Sequence, residues 1–213
     1  MVATHEARPA DPKDAGATRS RIQDLPTGPS ARACRDATVC FVSGSLESVP
    51  DTLVRPLARS DEDWAEQLLD SGFGGRMQAR RGELIDALEG PGLVAERGGA
   101  RVGLLTYRMD DDDAEIVFFE ATEQQGGIGT ALLDAFLAKA TGRRVWVVTT
   151  NDNLDALRFY QRRGFVISDV RPGAVDEARH TLKSQIPEVG AFSIPIRDEI
   201  MLERAAPPEA HQH

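Results

Sequence analysis

The sequence predicts an α/β (α+β) fold in which a mixed, mostly antiparallel central sheet surrounds a parallel strand–helix–strand core, with further helices flanking it. Three observations carry that prediction. Apolar runs of strand length recur between Leu53 and Glu203, separated by turns rich in glycine, proline and aspartate. Between two of these runs, Ile128, Ala131, Leu132, Ala135 and Phe136 fall at i, i+3, i+4, i+7 and i+8, the spacing of one helical face. The run after that helix, Arg144 to Thr150, is continuous in Val, Trp and Thr, as buried parallel strands are. Strand, helix and strand should therefore form a right-handed crossover.

Residues 1–50 are rich in Pro, Ala, Arg, Asp and Ser without a sustained period, and read as a disordered extension holding one strand-like run, Thr38 to Val42. The domain spans 51–204, and a loose tail, 205–213, follows it. Thr52 to Leu57 is the first strand. Ser60 is expected to cap a helix with Asp61, Glu62 and Asp63 in its first turn, where the dipole favours acids, and with Trp64, Leu68 and Leu69 on its apolar face. After the break Gly72 to Gly75, Arg81 to Glu89 reads as a second helix carrying Leu84, Ile85 and Leu88, stopped by Gly90-Pro91-Gly92. Leu93–Arg97 and Arg101–Arg108 are strands joined at Gly98-Gly99, a hairpin signal. The acidic turn Asp110 to Asp113, a solvated tip, leads into the strand Glu115 to Phe119. The central helix runs to about Ala140, and Gly142 ends it. Asn153 to Arg163 is the next helix and Gly164 to Ile167 turns into a strand. A helix at Val175 to Lys183 and a last strand at Asp198 to Glu203 complete the domain.

The chain has 213 residues, enough for one domain and more, with 41% hydrophobic and 28% charged residues, the composition of a soluble globular protein. No apolar run approaches the roughly 20 residues of a membrane span, and the N-terminus lacks a signal peptide's apolar segment. Two cysteines, Cys34 and Cys40, make neither a disulfide framework nor a metal set, so the expected compartment is cytoplasmic. A formal charge of −9 and a pI near 5.0 argue against a nucleic-acid partner. The same field mildly favours a cationic amine.

The glycine turn Gln124-Gln125-Gly126-Gly127-Ile128-Gly129-Thr130 follows the apolar run Ala114 to Phe119 and opens the central helix. Main-chain N–H groups at a helix start lack intrahelical partners and sit at the positive end of the dipole, so they cradle an anion such as a pyrophosphate. The dinucleotide-binding pattern fails, because Leu132 stands where its third glycine belongs and Thr149-Thr150 where its acid belongs; the P-loop pattern fails for want of a lysine. Gln124, Gly127 and Gly129 fill Gln/Arg-x-x-Gly-x-Gly/Ala. One helix and one strand later, Asn153, Ala156, Phe159, Tyr160, Gly164 and Phe165 fill Asn-x-x-Ala-x-x-Phe-Tyr-x-x-x-Gly-Phe. With both motifs in this order, the chain resembles the GNAT superfamily of N-acetyltransferases over roughly Leu53 to Arg204.

The resemblance implies the acyl-CoA N-acyltransferase fold and direct transfer of an acetyl group from acetyl-CoA to an amine, without a metal. It implies pyrophosphate binding by the amides of Gln125, Gly126, Gly127, Ile128, Gly129 and Thr130 beside Gln124. Pantetheine would lie between the strands Glu115–Phe119 and Arg144–Thr150, near Asn153 and Ala156. Amides at a bulge around Phe119, Glu120 and Ala121 would polarise the thioester carbonyl. Tyr160 would protonate the leaving thiolate. Glu115, Glu120 or an ordered water would take the amine proton. The plainer readings are that Asn153 is a helix cap, Tyr160 a boundary aromatic and Glu115 a solvated strand end; Arg158, Arg162 and His180 read as surface groups. The acceptor is open between a small-molecule amine, which is favoured, and a protein amine, and the assembly between monomer and homodimer. A regulator that binds acetyl-CoA without turnover is the alternative.

Overall fold

The computed structural model describes residues 52–71, 75–122 and 126–205. The expectations for residues 1–50, for the strand at Thr38 to Val42, for Gln124 and Gln125 and for the tail beyond Ala205 lie outside the described residues. The elements run β1 (Leu53–Pro56), α1 (Glu62–Ser71), β2 (Met77–Arg80), β3 (Glu83–Asp86), β4 (Gly92–Arg97), β5 (Ala100–Met109), β6 (Asp113–Ala121), α2 (Ile128–Lys139), β7 (Arg144–Thr150), α3 (Leu154–Gln161), β8 (Val166–Arg171), α4 (Ala174–Thr181) and β9 (Glu199–Arg204). Seven strands form one sheet in the order β1-β4-β5-β6-β7-β9-β8. Its β6–β7 pair is parallel and the others are antiparallel, so the expected α/β class holds.

The sheet is covered on both faces. On one, Ile128, Leu132, Leu133 and Phe136 of α2 and Tyr160 of α3 pack on Leu93, Leu105, Ile116, Val145, Val147 and Leu202, burying the face that the helical spacing predicted. On the other, Ala65, Leu68 and Leu69 of α1 and Ile85 of β3 cover Val94, Leu104 and Val117.

Two local expectations are overturned. Arg81 to Glu89 is not a helix. Residues Met77 to Asp86 form a two-stranded hairpin in which Arg80 pairs with Glu83. Both turn residues, Arg81 (φ 51°) and Gly82 (φ 82°), are left-handed, the conformation that matches the twist of a two-residue hairpin. Strand alternation then leaves Leu84 42% exposed while Ile85 is buried, which no helical face through Leu84, Ile85 and Leu88 allows. Nor does Ser60 cap α1. A 3-10 turn, Arg59–Asp61, precedes that helix, and Asp61 turns inward. Its carboxylate, 0% exposed, accepts from the Ala58 amide at 2.9 Å, from Arg55 at 2.6 and 3.0 Å and from Arg101 at 2.8 Å.

Candidate active site

β6 and β7 part company. Their parallel ladder runs from Asp113–Arg144 to Ile116–Val147 and stops, although β6 continues to Ala121 and β7 to Thr150. A wedge opens there, bounded by Val117–Ala121 on one side and Val148–Thr150 on the other. The N-terminus of α2 stands beyond the end of β6. Gly127 is its N-cap, at φ 77°, a conformation that a residue with a Cβ adopts only with strain. Among the described residues, no acceptor meets the amides of Gly127, Ile128, Gly129 or Thr130, and the helix dipole adds its positive end. Gly126 and Gly127 are exposed. These donors suit an anion.

The bulge in β6 lies earlier than the expected Phe119 to Ala121. Thr106 pairs with Phe118 and Tyr107 with Ile116, so Val117 is the extra residue. The consequence is visible in the packing. Val117 and Phe118 both pack on the α1 and hairpin face, whereas Ile116 and Phe119 pack on the α2 and α3 face. Regular alternation would have put Glu115 and Glu120 on opposite faces; with the bulge between them, both lie on the hairpin face. The amide of Thr122 bonds to Val102 at 3.0 Å, so alternation aims those of Phe119 and Ala121 away from β5, into the wedge, and that of Glu120 towards β5.

Glu115 is not a solvated strand end. It is 7% exposed and lies 3.2 Å from Nη1 of Arg80, itself 7% exposed and the last residue of β2. Burial pushes the Glu115 carboxyl above its ordinary range, while Arg80, Arg108 and Arg81 pull it back. Burial likewise raises Glu120, which is half-buried.

Tyr160, 3% exposed, is held edge-on to Phe159 and tilted against Phe119 and Phe165, with ring centroids 5.2 to 6.2 Å apart. No described residue hydrogen-bonds its hydroxyl, and burial lifts the phenol well above its usual value. It therefore keeps its proton at neutral pH. Asn153 is the N-cap of α3, its side chain accepting from the Ala156 amide at 3.1 Å. Ala156 packs on the core beside it. Arg158 is 70% exposed and pairs with Asp155 on the surface, and exposed His180 meets the Asp176 carbonyl. The sequence reading missed Arg80 and the buried Glu199, which accepts from the Arg81 amide and from Arg171. The Arg81-Gly82 dipeptide between two alternating runs is the signal that points to the hairpin bearing Arg80.

The model of the Acetyltransferase (GNAT) family matches residues 60–165, from the 3-10 turn before α1 through the Gly-Phe that closes the second motif. This chain belongs to the GNAT family. It is 43% identical over 122 residues to the Bacillus subtilis protein YdhI, a stretch covering 56% of this chain and 75% of that one. The GNAT fold is shared with the IAA acetyltransferase from Bacillus cereus (21% identity, 72% of this chain and 98% of that one, TM-score 0.54). A GNAT family acetyltransferase from Elizabethkingia anophelis, solved with acetyl-CoA bound, shares it too (20% identity, 71% and 96%, TM-score 0.53). Among the described residues of this GNAT chain, no helix is long and apolar enough to cross a membrane.

Proposed function

We propose that this GNAT protein moves an acetyl group from acetyl-CoA directly to an amine, with a small-molecule acceptor favoured over a protein amine. The observation that carries the reading is the row of open amides, Gly127 to Thr130, at the mouth of the wedge between β6 and β7. These amides, continued by Gly126 and by Gln124 and Gln125 before it, would hold the pyrophosphate. The pantetheine would lie along the wedge past Ala156 and Asn153.

An amine of pKa near ~10 must shed a proton before it attacks. Glu120, on the wedge strand, and Glu115, on the same face just before the wedge opens, are the candidate acceptors of that proton, directly or through a water. The nitrogen then bonds to the acetyl carbon, and the carbonyl oxygen gathers charge that the wedge-facing amides of Phe119 and Ala121 are placed to receive. As the carbon–sulfur bond breaks, the thiolate takes the proton held by Tyr160. The donor role is supported by position, since the Tyr160 ring packs against Phe119, whose amide faces the wedge.

A thiol-release assay with acetyl-CoA against a panel of small amines and lysine peptides tests the proposal, alongside calorimetry of acetyl-CoA binding. Release with a small amine is the expected result. Tight binding with no release for any amine would instead identify an acetyl-CoA-responsive regulator.

A further inference from the structure

The buried guanidinium of Arg80 is the group on the hairpin face that the acetyl-transfer reading leaves unused. The hairpin delivers it from the end of β2 to the site where β6 bulges. Nη1 approaches Glu115 at 3.2 Å and the Ile116 carbonyl at 3.3 Å, and Nη2 donates to the carbonyl of Val117, the bulge residue. Three acceptors on consecutive residues are thus gathered by one rigid fork. The next residue locks the hairpin in place, since the Arg81 amide donates to both oxygens of Glu199 at 3.0 and 3.1 Å. The Arg80 charge is also felt at Tyr160, which packs on the opposite face of the sheet. Desolvating an arginine is costly, and a carbonyl pair together with a carboxylate is what makes this burial tolerable.

We propose that Arg80 is a positioning residue for acetyl transfer: it fastens the bulge at Ile116–Val117, so that the amides of Phe119 and Ala121 face the wedge, and it holds the Glu115 carboxylate on the hairpin face where the β6–β7 ladder ends. The proposal rests on the acetyl-transfer reading for its kinetic arm and on geometry alone for its second arm. The charged groups around Glu115 are Arg80 from β2, Arg81 from the turn and Arg108 from β5, with Glu199 of β9 acting on Arg80. All three arginines favour the ionised carboxylate, and Arg80 is in contact with it.

R80K keeps the charge and loses the fork, whereas R80Q loses the charge and keeps a donor. With the amine that the wild type accepts, R80K is expected to lower kcat about tenfold and R80Q about 100-fold, the scale of a misplaced reacting group. Acetyl-CoA affinity should stay within about twofold in both, since the open amides belong to α2. The acidic limb of the kcat profile should move to higher pH in R80Q and stay in place in R80K.

A second measurement needs no turnover. A carboxyl raised in the folded state favours folding at low pH, and that advantage is lost as pH rises past its unfolded value. The unfolding midpoint of R80Q should therefore fall more steeply than that of the wild type from acid to neutral pH, and E115Q should abolish the difference. Wild-type kcat in R80K overturns the role at the bulge. Equal pH slopes for R80Q and the wild type overturn the hold on Glu115, whether or not the protein turns over. Absence of thiol release from the wild type, by contrast, counts against the acetyl-transfer reading and leaves the slope test standing. If R80Q does not fold, R80K decides the kinetic arm, and the E115Q slope against the wild type decides the other: equal slopes there mean that Glu115 does not titrate and overturn the proposal.

Discussion

The two faces of the sheet are built by different means. On the α2 and α3 face, the structure follows short-range signals: a glycine turn, a helical period and a cap at Asn153, each set within a dozen residues. On the α1 and hairpin face, the buried groups are charged and their partners come from far along the chain. Arg80 meets residues 35 to 37 positions later, and Arg81 meets Glu199 across 118. Arg55, Asp61 and Arg101 close a similar cluster at the far end. Both motifs of the family lie with α2 and α3, while the buried ion pairs that join distant parts of the chain lie with α1 and the hairpin.

The sharpest test of that division is at Tyr160, which packs on the α2 and α3 face and is the proposed proton donor. Y160F should lower kcat by about 10- to 1,000-fold while acetyl-CoA affinity holds, as loss of a general acid does. Stopped-flow thiol release alongside calorimetry would show it, and unchanged turnover would remove Tyr160 from the mechanism. Next in size is the far cluster. D61A leaves Arg55 and Arg101 without their shared carboxylate and should destabilise the fold by about 3 kcal/mol, read by urea unfolding. Arg55 and Arg101 hold the folded-state Asp61 below its ordinary pKa. Its contribution is thus fully present above the unfolded value, near 3.8, and disappears as pH falls below it. D61A should flatten that acid limb.

A smaller effect is expected on the α2 and α3 face from G127V. A branched side chain at φ 77° costs roughly 1–3 kcal/mol, to be seen as a loss of acetyl-CoA affinity of about tenfold or of stability to match. The smallest is R158A. Its pair with Asp155 is solvated, so both stability and acetyl-CoA affinity should change by less than about 0.5 kcal/mol. A larger loss of affinity would place Arg158 on the coenzyme and redraw the boundary between the faces.

How much could be read from the sequence follows the same division. The strand order around β6 and β7, the start of α2 and the cap of α3 follow from local residue types, because glycine, asparagine and the 3.6-residue period act at short range. The hairpin does not. Leu84, Ile85 and Leu88 happen to satisfy a helical face, and the competing signal, Arg81-Gly82, asks an arginine to take a left-handed conformation. What holds it there is Glu199, which no local window contains. The burial of Glu115 was hidden for the same reason. An acidic residue beside an acidic turn looks solvated until the guanidinium that covers it is known. The position of the bulge, too, is a property of two strands together, and β6 alone does not disclose it.

Val117 takes up one of the five positions that separate Glu115 from Glu120, so the two carboxylates come out on the same side of the ribbon. Pleating the strand evenly with that residue kept would turn one of the two acids towards α2, whereas excising it would leave both on the hairpin side, four positions apart. The shared side of the two acids is thus a property of how the ribbon pleats and not of the acids themselves.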